Sequence, residues 1–265
     1  MTEVSQSQLS QEAMRIALWE APLPELDAAT LSALSQLDDK DNTQAVGNKS
    51  GGDSSKLPEL GPLEPEFKSW ESVGSTIVHK AVALSGFNPG SEKFDPVAWE
   101  KFLNKFATIP FFLKYTLDYR DAAISKTSLK KAVDAVADLL ENIMTKEDFK
   151  GIVETMKKIG QLALENEGRK QSNSNQQVGA LSRHNGHLYL GAVRTRVEME
   201  YKKSKGHEQL NQGLSVYRGY GDLDFDMCKS QSSKLKTWQR KNVEEWEKDG
   251  SSNGKKPNDS PAWDN

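Results

Sequence analysis

The sequence contains a single cysteine among its 265 residues, so no disulfide bond can form within the chain. Disulfides are typical of proteins in oxidising compartments, and their absence favours a reducing one. The amino terminus, Met-Thr-Glu-Val, lacks the basic and apolar regions of a secretory signal peptide. These absences predict a cytoplasmic protein, or one exported without a recognisable signal peptide. No apolar run approaches the roughly 20 residues that a membrane-spanning helix needs.

The chain also lacks several short motifs that mark catalytic and nucleotide-binding sites. It contains no G-x-x-x-x-G-K-[ST], no G-x-G-x-x-G and no H-E-x-x-H. These motifs supply phosphate-binding loops and zinc ligands, so their absence removes common classes of nucleotide-dependent and zinc-dependent enzyme. We therefore expect a protein without enzymatic activity and assign no catalytic residue. An enzyme that carries none of these motifs is kept as an alternative.

Net charge is −3, so we expect no broad basic face that would bind nucleic acid through its phosphates. The charge is distributed unevenly along the chain. Residues 1–65 hold eleven acidic and four basic residues, whereas residues 229–265 hold eight basic and six acidic ones. Such asymmetry is typical of proteins that contact partners, but also of proteins that are only kept soluble by it. A nucleic-acid partner is not expected.

Composition divides the chain into four parts. Residues 1–37 contain two short amphipathic segments separated by prolines, which predicts a helical arm. Residues 38–65 are rich in Asp, Ser, Gly and Pro and show no apolar period, which predicts a disordered linker. Residues 66–249 should form a single α+β domain, followed by a disordered tail at 250–265.

Apolar residues at helical spacing predict about five helices in the domain. The first begins near Glu66 and ends at Gly86, and the second follows Asp95, a favourable N-cap residue ahead of Pro96. Residues 111–124 are apolar on nearly all sides and are predicted to form the most buried helix. Residues 129–143 and 145–163 should pair as an antiparallel helical hairpin.

After a polar loop at 168–179, the apolar period changes from 3.6 to 2. One strand is predicted from Tyr189 and a second at 214–227, with a turn at 204–212. Pairing residues whose numbers sum to about 416 places Arg194 opposite Asp222 and makes both faces complementary. The expected fold is therefore α+β, with a helical layer packed on a small antiparallel sheet built around this long β-hairpin.

Polar side chains on the predicted hairpin form a candidate ligand face. Its members are Arg194, Arg196, Arg218, Tyr220, Asp222 and Asp224. A pocket between this face and the helices would be the place for an enzyme site, if the protein has one.

Two groups of side chains have the chemistry of metal ligands: Asp222, Asp224 and Asp226, and the pair His184 and His187. A calcium loop would need Gly and Glu where this chain has Met227 and Ser233. Two histidines can hold zinc only when further ligands converge on them, and the Asn-Gly between them indicates a turn. We expect neither a metal nor a cofactor.

Cys228 lies at the end of the predicted second strand. A lone cysteine is usually a small buried hydrophobic residue. The alternative is a reactive thiol, either a nucleophile or an acceptor for a lipid. In the predicted register His187 points to the face opposite Cys228, so a catalytic Cys–His pair is not expected. Lipid attachment at Cys228 is kept as the functional alternative.

Three functions follow from these patterns. The first is a non-enzymatic interaction protein whose arm docks into a partner protein through Leu9, Ile16 and Leu18. The opposing interpretation is that the arm packs on its own domain. The second is a membrane-active or virulence-type protein, since helices followed by a long ribbon also occur in some cytolysin-like toxins and in α/β virulence factors with one acylated cysteine. The third is an enzyme with a pocket on the ribbon.

Overall fold

The computed structural model describes residues 6–35, 42–46, 51–52, 56–88, 94–125, 170–204 and 207–241. The fold is α+β, as predicted, with a helical layer packed on a sheet of long strands. The helices are α1 (Gln6–Glu20), α2 (Ala28–Ser35), α3 (Trp70–Ser85), α4 (Pro96–Ala107), α5 (Phe225–Ser230) and α6 (232–241), with a 3₁₀ turn at Gly61–Leu63. The strands are β1 (Asn42–Val46), β2 (Gly51–Gly52), β3 (Phe112–Ser125), β4 (Lys170–His184), β5 (His187–Ser204) and β6 (His207–Leu223).

The sheet is built around β5, which pairs antiparallel with β4 on one side and with β6 on the other. The strand order is β1-β4-β5-β6-β3, and β2 also pairs with β4. β3 pairs antiparallel with β6, whereas β1 and β2 run parallel to β4. The four long strands therefore form an antiparallel sheet, and among the described strands β3 lies at one edge.

Helix α4 begins after Asp95 and α3 ends at Gly86, as the sequence predicts, but α3 begins at Trp70 and not near Glu66. The Ser69 hydroxyl accepts from the Ser72 amide to cap α3, and Gly86 ends that helix with a φ of 71°. This left-handed conformation is readily adopted only by glycine. Asp95 Oδ1 accepts from the amides of Val97 and Ala98, at 3.0 and 2.9 Å, to cap α4.

The core lies between the helices and the half of the sheet that contains the start of β5. The start of β5 contributes Leu188, Leu190 and Ala192, all of which are fully buried. Gly74 of α3 lies against the Leu190 side chain, and a Cβ at this position would overlap the Leu190 methyl group. The helices and the segment before α3 add mainly aromatic rings to this core: Phe67, Trp70, Trp99, Phe102, Phe106 and Trp238.

Two glycines in β6 make room for aromatic side chains of β3. A Cβ at Gly221 would overlap the Phe112 ring, and a Cβ at Gly219 would overlap the Tyr115 hydroxyl. Tyr115 also packs edge-on against Phe106 of α4, with ring centroids 6.2 Å apart. The glycines therefore let the sheet and α4 approach each other closely.

Residues 111–124 were predicted to form a buried helix, and this prediction is wrong. Phe112–Ser125 is strand β3, and Leu113 and Leu117 are more than half exposed. The sequence from Leu113 to Arg120 alternates apolar and polar residues, and its Tyr and Thr residues favour strands. The high apolar content of residues 111–124 as a whole led to the helix prediction, although Leu113 to Arg120 has the period of two that is typical of a strand.

Two segments predicted to be irregular also carry regular structure. The polar stretch predicted as a loop at 168–179 belongs to β4, which has few residues of high strand propensity and is stabilised by pairing with β5. Residues 42–46 and 51–52 of the predicted linker are strands, and Leu60 and Leu63 are buried. The folded domain therefore includes residues before Glu66. The predicted helical hairpin at 129–163 and the tail at 250–265 lie outside the described residues.

The predicted β-hairpin is confirmed, but its predicted register is wrong. Arg194 pairs with Tyr217 and not with Asp222, and Tyr189 takes the place opposite Asp222. The strands pair as far as Ser204 and His207, leaving two residues between them, whereas the prediction assigned 204–212 to a turn. Hairpin register is set by the connecting turn and by the buried face. Cross-strand charge pairs, worth about 0.2–1 kcal/mol each, are too weak to decide it.

The amino-terminal helix α1 packs on the domain through buried polar contacts with α4. The Lys105 ammonium group donates to the carbonyl oxygens of Trp19 and Ala21, the latter at 2.6 Å. In return, Trp19 Nε1 donates to the Lys105 carbonyl oxygen at 2.8 Å. A cation is favourable at this end of α1, where the carbonyl groups have no partners within the helix. Burial nevertheless lowers the pKa of Lys105.

Two glutamates attach α6 to earlier parts of the chain. Glu20 accepts from Trp238 Nε1 at 3.0 Å and lies 2.6 Å from Lys234 Nζ. Glu66 lies 2.8 Å from Lys236 Nζ and 2.6 Å from an Arg240 nitrogen. The hydrogen bonds from Lys236 and Arg240 lower the pKa of Glu66 to about 2. These contacts tie α6 to the end of α1 and to the segment before α3.

Replacing Lys105 with methionine should destabilise the protein by about 1–3 kcal/mol, because the carbonyl groups of Trp19 and Ala21 lose a charged donor. Chemical denaturation followed by tryptophan fluorescence measures this difference. Lys101→Met, one turn earlier on α4, is the matched control and should change stability by less than about 0.5 kcal/mol. Equal stability of Lys105→Met and the unmodified protein would show that the ammonium group does not hold α1.

Candidate functional site

The sheet divides the predicted ligand face between its two sides. Arg194 pairs with Tyr217, whereas Tyr220 pairs with Gly191, so Arg194 and Tyr220 lie on opposite sides of the sheet. By the same alternation, Arg196 lies with Arg194, and Arg218 and Asp222 lie with Tyr220. One pocket cannot be lined by all of these residues, and the predicted ligand face is wrong as a single site.

On the helical side, Arg194 contacts the segment that leads into α4, and Arg196 forms an ion pair along its own strand. The Arg194 guanidinium lies over the Phe94 ring, 3.8 Å from its centroid. Burial lowers the pKa of Arg194 to about 10, with a smaller contribution from Arg196. Arg196 pairs with Glu198 at 2.8 Å on the same strand. These contacts give Arg194 and Arg196 structural roles.

On the opposite side, His187 and Asp222 form the centre of a polar and aromatic cluster. His187 Nδ1 lies 2.9 Å from Asp222 Oδ2 and 3.1 Å from Oδ1. His187 stacks on Tyr189, Tyr189 contacts the edge of Tyr220, and the Arg218 guanidinium lies 5.2 Å from the Tyr220 ring centroid. The sequence indicated the turn at Asn-Gly but did not bring His187 and Asp222 together, since the predicted register was wrong.

Burial changes the pKa of two members of this cluster, Asp222 and Tyr189. Burial raises the pKa of Asp222, and the nearby Asp224 adds to that effect while His187 opposes it. Burial also raises the pKa of Tyr189, as do Asp222 and Tyr220. The carboxylate orients the imidazole ring next to the turn between β4 and β5, where Asn185 and Gly186 have φ values of 49° and 79°. The cluster fixes this corner of the sheet.

The three aspartates that were considered as possible metal ligands do not share one strand. Asp222 is in β6, whereas Asp224 caps α5 by accepting from the Met227 amide at 2.9 Å. Asp226 lies in the first turn of α5, where a negative charge is favourable. Within the part of the chain that the structure describes, no group of three His, Cys, Asp or Glu side chains could hold a metal ion.

Cys228 lies inside α5 and is fully buried. Burial raises the pKa of its thiol well above the usual value, and the nearby Asp224 charge acts in the same direction. A thiol must be accessible and partly ionised to act as a nucleophile. In the folded domain Cys228 therefore behaves as a core residue, and lipid attachment would require this part of the core to open.

The three residues proposed for partner docking lie in different environments. Ile16 is buried in the core, whereas Leu18 is 70% exposed and Leu9 is 37% exposed. Glu12 lies on the buried side of α1 and accepts from the Ser230 hydroxyl at 2.6 Å. Burial raises the pKa of Glu12, but hydrogen bonds from Ser230, Gln231 and Gln8 outweigh this and lower it overall. Thus α1 packs on its own domain and leaves Leu18 and Leu9 at the surface.

Exposed apolar side chains are concentrated on α1 and on the edge strand β3. The largest are Met14 and Leu18 on α1, and Leu113, Leu117 and Tyr119 on β3, each between 55% and 70% exposed. Sequence reasoning missed the β3 group because it placed these residues in a buried helix. The alternation from Leu113 to Arg120 was the signal that would have found it.

A shallow groove of about 570 Å³ lies beside the amino terminus of α3. Its walls include Leu57, Pro58, Leu60, Lys68, Trp70 and Arg183. Trp70 Nε1 donates to the Pro58 carbonyl oxygen at 2.6 Å, and Arg183 is paired with Glu71. These polar groups are therefore used within the chain.

Comparison with known proteins assigns no family. No family model matches the chain, and no curated protein matches it. A solved delta-endotoxin structure is similar with a TM-score of 0.37 and 7% identity, covering 64% of this chain and 87% of that one. The structure of the Evf virulence factor is similar with a TM-score of 0.37 and 12% identity, covering 87% of this chain and 89% of that one. Likeness at this level carries no functional argument.

Cys228 should not react with a thiol reagent in the folded protein, because the thiol is buried and protonated. Labelling followed by intact-mass measurement should show no added mass under native conditions and one added label in denaturant. Rapid native labelling, or an acyl mass on the protein isolated from its source, would show that Cys228 is accessible and would restore the lipid-acceptor hypothesis.

Proposed function

We propose that the protein is membrane-active, in the toxin or virulence class, and that the β5–β6 hairpin is the element that enters the bilayer. The length of this hairpin is the observation that carries the proposal. β5 has 18 residues and β6 has 17. At about 3.3 Å per residue each strand is roughly 55–60 Å long. A strand needs only about 9–11 residues to cross the hydrocarbon region.

The sequence of the distal half of β5 supports this proposal. From Val193 to Tyr201 the odd positions read Val, Thr, Val, Met and Tyr, and the even positions read Arg, Arg, Glu and Glu. Alternation of apolar and charged residues gives a strand one lipid-compatible side and one water-compatible side. Backbone pairing supports it too, because β5 is paired with β6 as far as Ser204 and with β4 from His187 to Glu200. Unpaired backbone groups are costly in hydrocarbon.

The exposed apolar side chains supply a first contact with the membrane. Met14 and Leu18 on α1, and Leu113 and Leu117 on β3, present apolar surface to the solvent. Such surface is favourable at the interface between water and lipid. No described helix is long and apolar enough to span a membrane.

A second candidate is binding of a protein partner, favoured by the apolar side of α1 that faces away from the domain. Met14 is 66% exposed and Leu18 70% exposed, one helical turn apart. The prediction that residues 1–37 are a free arm that docks through Ile16 is not supported, because Ile16 packs in the core. Docking onto the exposed side of α1, with Met14 and Leu18 as contacts, is compatible with the folded domain, whereas Leu9 lies on the side of Glu12 and Ile16.

The purified full chain should release dye from vesicles that contain anionic lipid. Val197→Lys should reduce the rate of release by roughly tenfold or more, since a lysine on the lipid side of a strand costs about 2–4 kcal/mol at mid-bilayer. Glu198→Lys introduces the same side chain at the next position and is the matched control, with little expected loss. Absence of release by the unmodified protein, or equal loss for both variants, would contradict the proposal.

The second candidate predicts that Met14→Lys and Leu18→Lys reduce capture of a specific protein from the source cells by roughly tenfold or more, as for residues central to an interface. Gln11→Lys, on the same exposed side of α1, is the control for added charge. Capture that is unchanged by both leucine and methionine replacements would remove α1 as a docking surface, whatever the outcome of the vesicle assay.

A further inference from the structure

The contact between α1 and the end of α5 depends on a carboxylate. Glu12 is 9% exposed, and its Oε2 accepts from the Ser230 hydroxyl at 2.6 Å and from Gln231 Nε2 at 3.1 Å. The other oxygen, Oε1, accepts from Gln8 Nε2 within α1 at 3.2 Å. Hydrogen bonds to an ionised acceptor are stronger than those to a neutral one. Protonation of Glu12 would therefore weaken this contact.

A second carboxylate, at the last residue of α1, holds the helix to α6 and α3. Glu20 accepts from Trp238 Nε1 at 3.0 Å, and it lies 2.6 Å from Lys234 Nζ and 3.7 Å from Lys80 Nζ. The two ammonium groups also lie 5.9 and 5.8 Å from the centroid of the Trp238 ring. Protonation of Glu20 would remove the negative charge that these two cations share.

We propose that α1 is released from the domain in acid, when Glu12 and Glu20 become protonated, while the core beneath it stays folded. α1 has three buried side chains, and Glu12 is one of them, beside Ile16 and Trp19. Acid leaves the charge of the surrounding cations unchanged, because lysine and arginine are already protonated at neutral pH. These cations are Arg15 on α1, Lys80 on α3, Lys105 on α4 and Lys234 on α6.

The pKa values of the two carboxylates set the pH range of the release. Burial raises the pKa of Glu20, but hydrogen bonds from Lys234 and Trp238 and the charges of Lys234 and Lys80 outweigh it and lower the pKa overall. Burial raises the pKa of Glu12 too, and its hydrogen bonds again outweigh this. A carboxyl whose pKa is lower in the docked helix than in the free one favours docking above its ordinary pKa of 4.5. This contribution is lost as the pH falls through the lower, docked value, so release is expected below about pH 4.5 and not at neutral pH.

The contact between α6 and the segment before α3 should persist at the pH that frees α1. Hydrogen bonds from Lys236 and Arg240 lower the pKa of Glu66 to about 2, so its carboxylate stays ionised over most of this range. Leu235 of α6 is also fully buried. Acid is therefore expected to free α1 before it frees α6.

This inference gives the proposed membrane activity a trigger and rests on that activity for its biological meaning. A freed α1 would present Ile16 and Trp19 in addition to Met14 and Leu18, which are exposed already. Aromatic and aliphatic side chains on a helix favour the interface between water and lipid. Release in water does not depend on lipid, so the two claims can be tested separately.

Tryptophan side chains report the release of α1 separately from unfolding. Trp19 and Trp238 contact each other, with ring centroids 5.7 Å apart, whereas Trp70 and Trp99 belong to other parts of the core. In the full chain labelled with 5-fluorotryptophan, fluorine NMR follows each indole, and replacement of single tryptophans with phenylalanine assigns the signals. Between about pH 7 and about pH 3, the Trp19 and Trp238 signals should change before those of Trp70 and Trp99. The ratio of released to docked helix should rise roughly tenfold or more over this range.

The double variant Glu12→Gln/Glu20→Gln removes both titrating groups, so the same ratio should change by less than about twofold. Glu25→Gln, at an exposed residue just beyond α1, is the control for lost charge and should behave as the unmodified protein. If the double variant does not dock at neutral pH, Glu20→Gln alone decides, because its release should depend less steeply on pH than that of the unmodified protein.

A simultaneous change of all four tryptophan signals overturns the inference, because it would mean that acid unfolds the domain as a whole. A Trp19 signal that stays docked down to about pH 3 overturns it too, as does an equally steep pH dependence for the unmodified protein and the glutamine variants. Vesicle leakage at neutral pH by a protein whose α1 stays docked would retain the proposed function and remove α1 as its trigger. Release of α1 in acid without leakage at any pH would retain the release and remove the membrane activity.

Discussion

The structure depends on the burial of the start of β5 between two neighbouring strands and beneath α3. Leu188, Leu190 and Ala192 are fully buried there, and the absence of a side chain at Gly74 allows Leu190 to reach the helix. A shift of the strand by one residue would move these side chains to the other side of the sheet. This constraint positions β4 and β6 on either side of β5, and through β6 it positions the edge strand β3.

The helical layer is held together by contacts between residues far apart in the sequence. Lys105 joins α4 to the end of α1, and Glu20 joins α1 to Trp238 and Lys234 of α6. Buried charges are tolerated where donors and acceptors are matched, and here each group has a partner on another helix. An amino-terminal segment that would be unstable as an isolated helix is thereby made part of the core.

Local signals predicted the elements whose structure is determined locally. Asp95 correctly predicted the start of α4, and Gly86 correctly predicted the end of α3. The period of two in β5 predicted the hairpin. β4 could not be predicted, because its Asn, Ser and Gln residues form a strand only when β5 is beside them. The register could not be predicted either, and this error separated His187 from Asp222. The candidate ligand residues were consequently predicted to share one side of the sheet, whereas they lie on both sides.

The helical layer covers the half of the sheet that contains the start of β5. The proposed membrane activity depends on the other half of the β5–β6 hairpin. Environment-sensitive fluorophores attached to single cysteines introduced at each position from 193 to 202 test this most directly, since the native thiol at Cys228 is buried. With vesicles, the account predicts a blue shift at alternate positions, including 197 and 199, and none at 198 and 200. A uniform response, or no shift at any position, would contradict it.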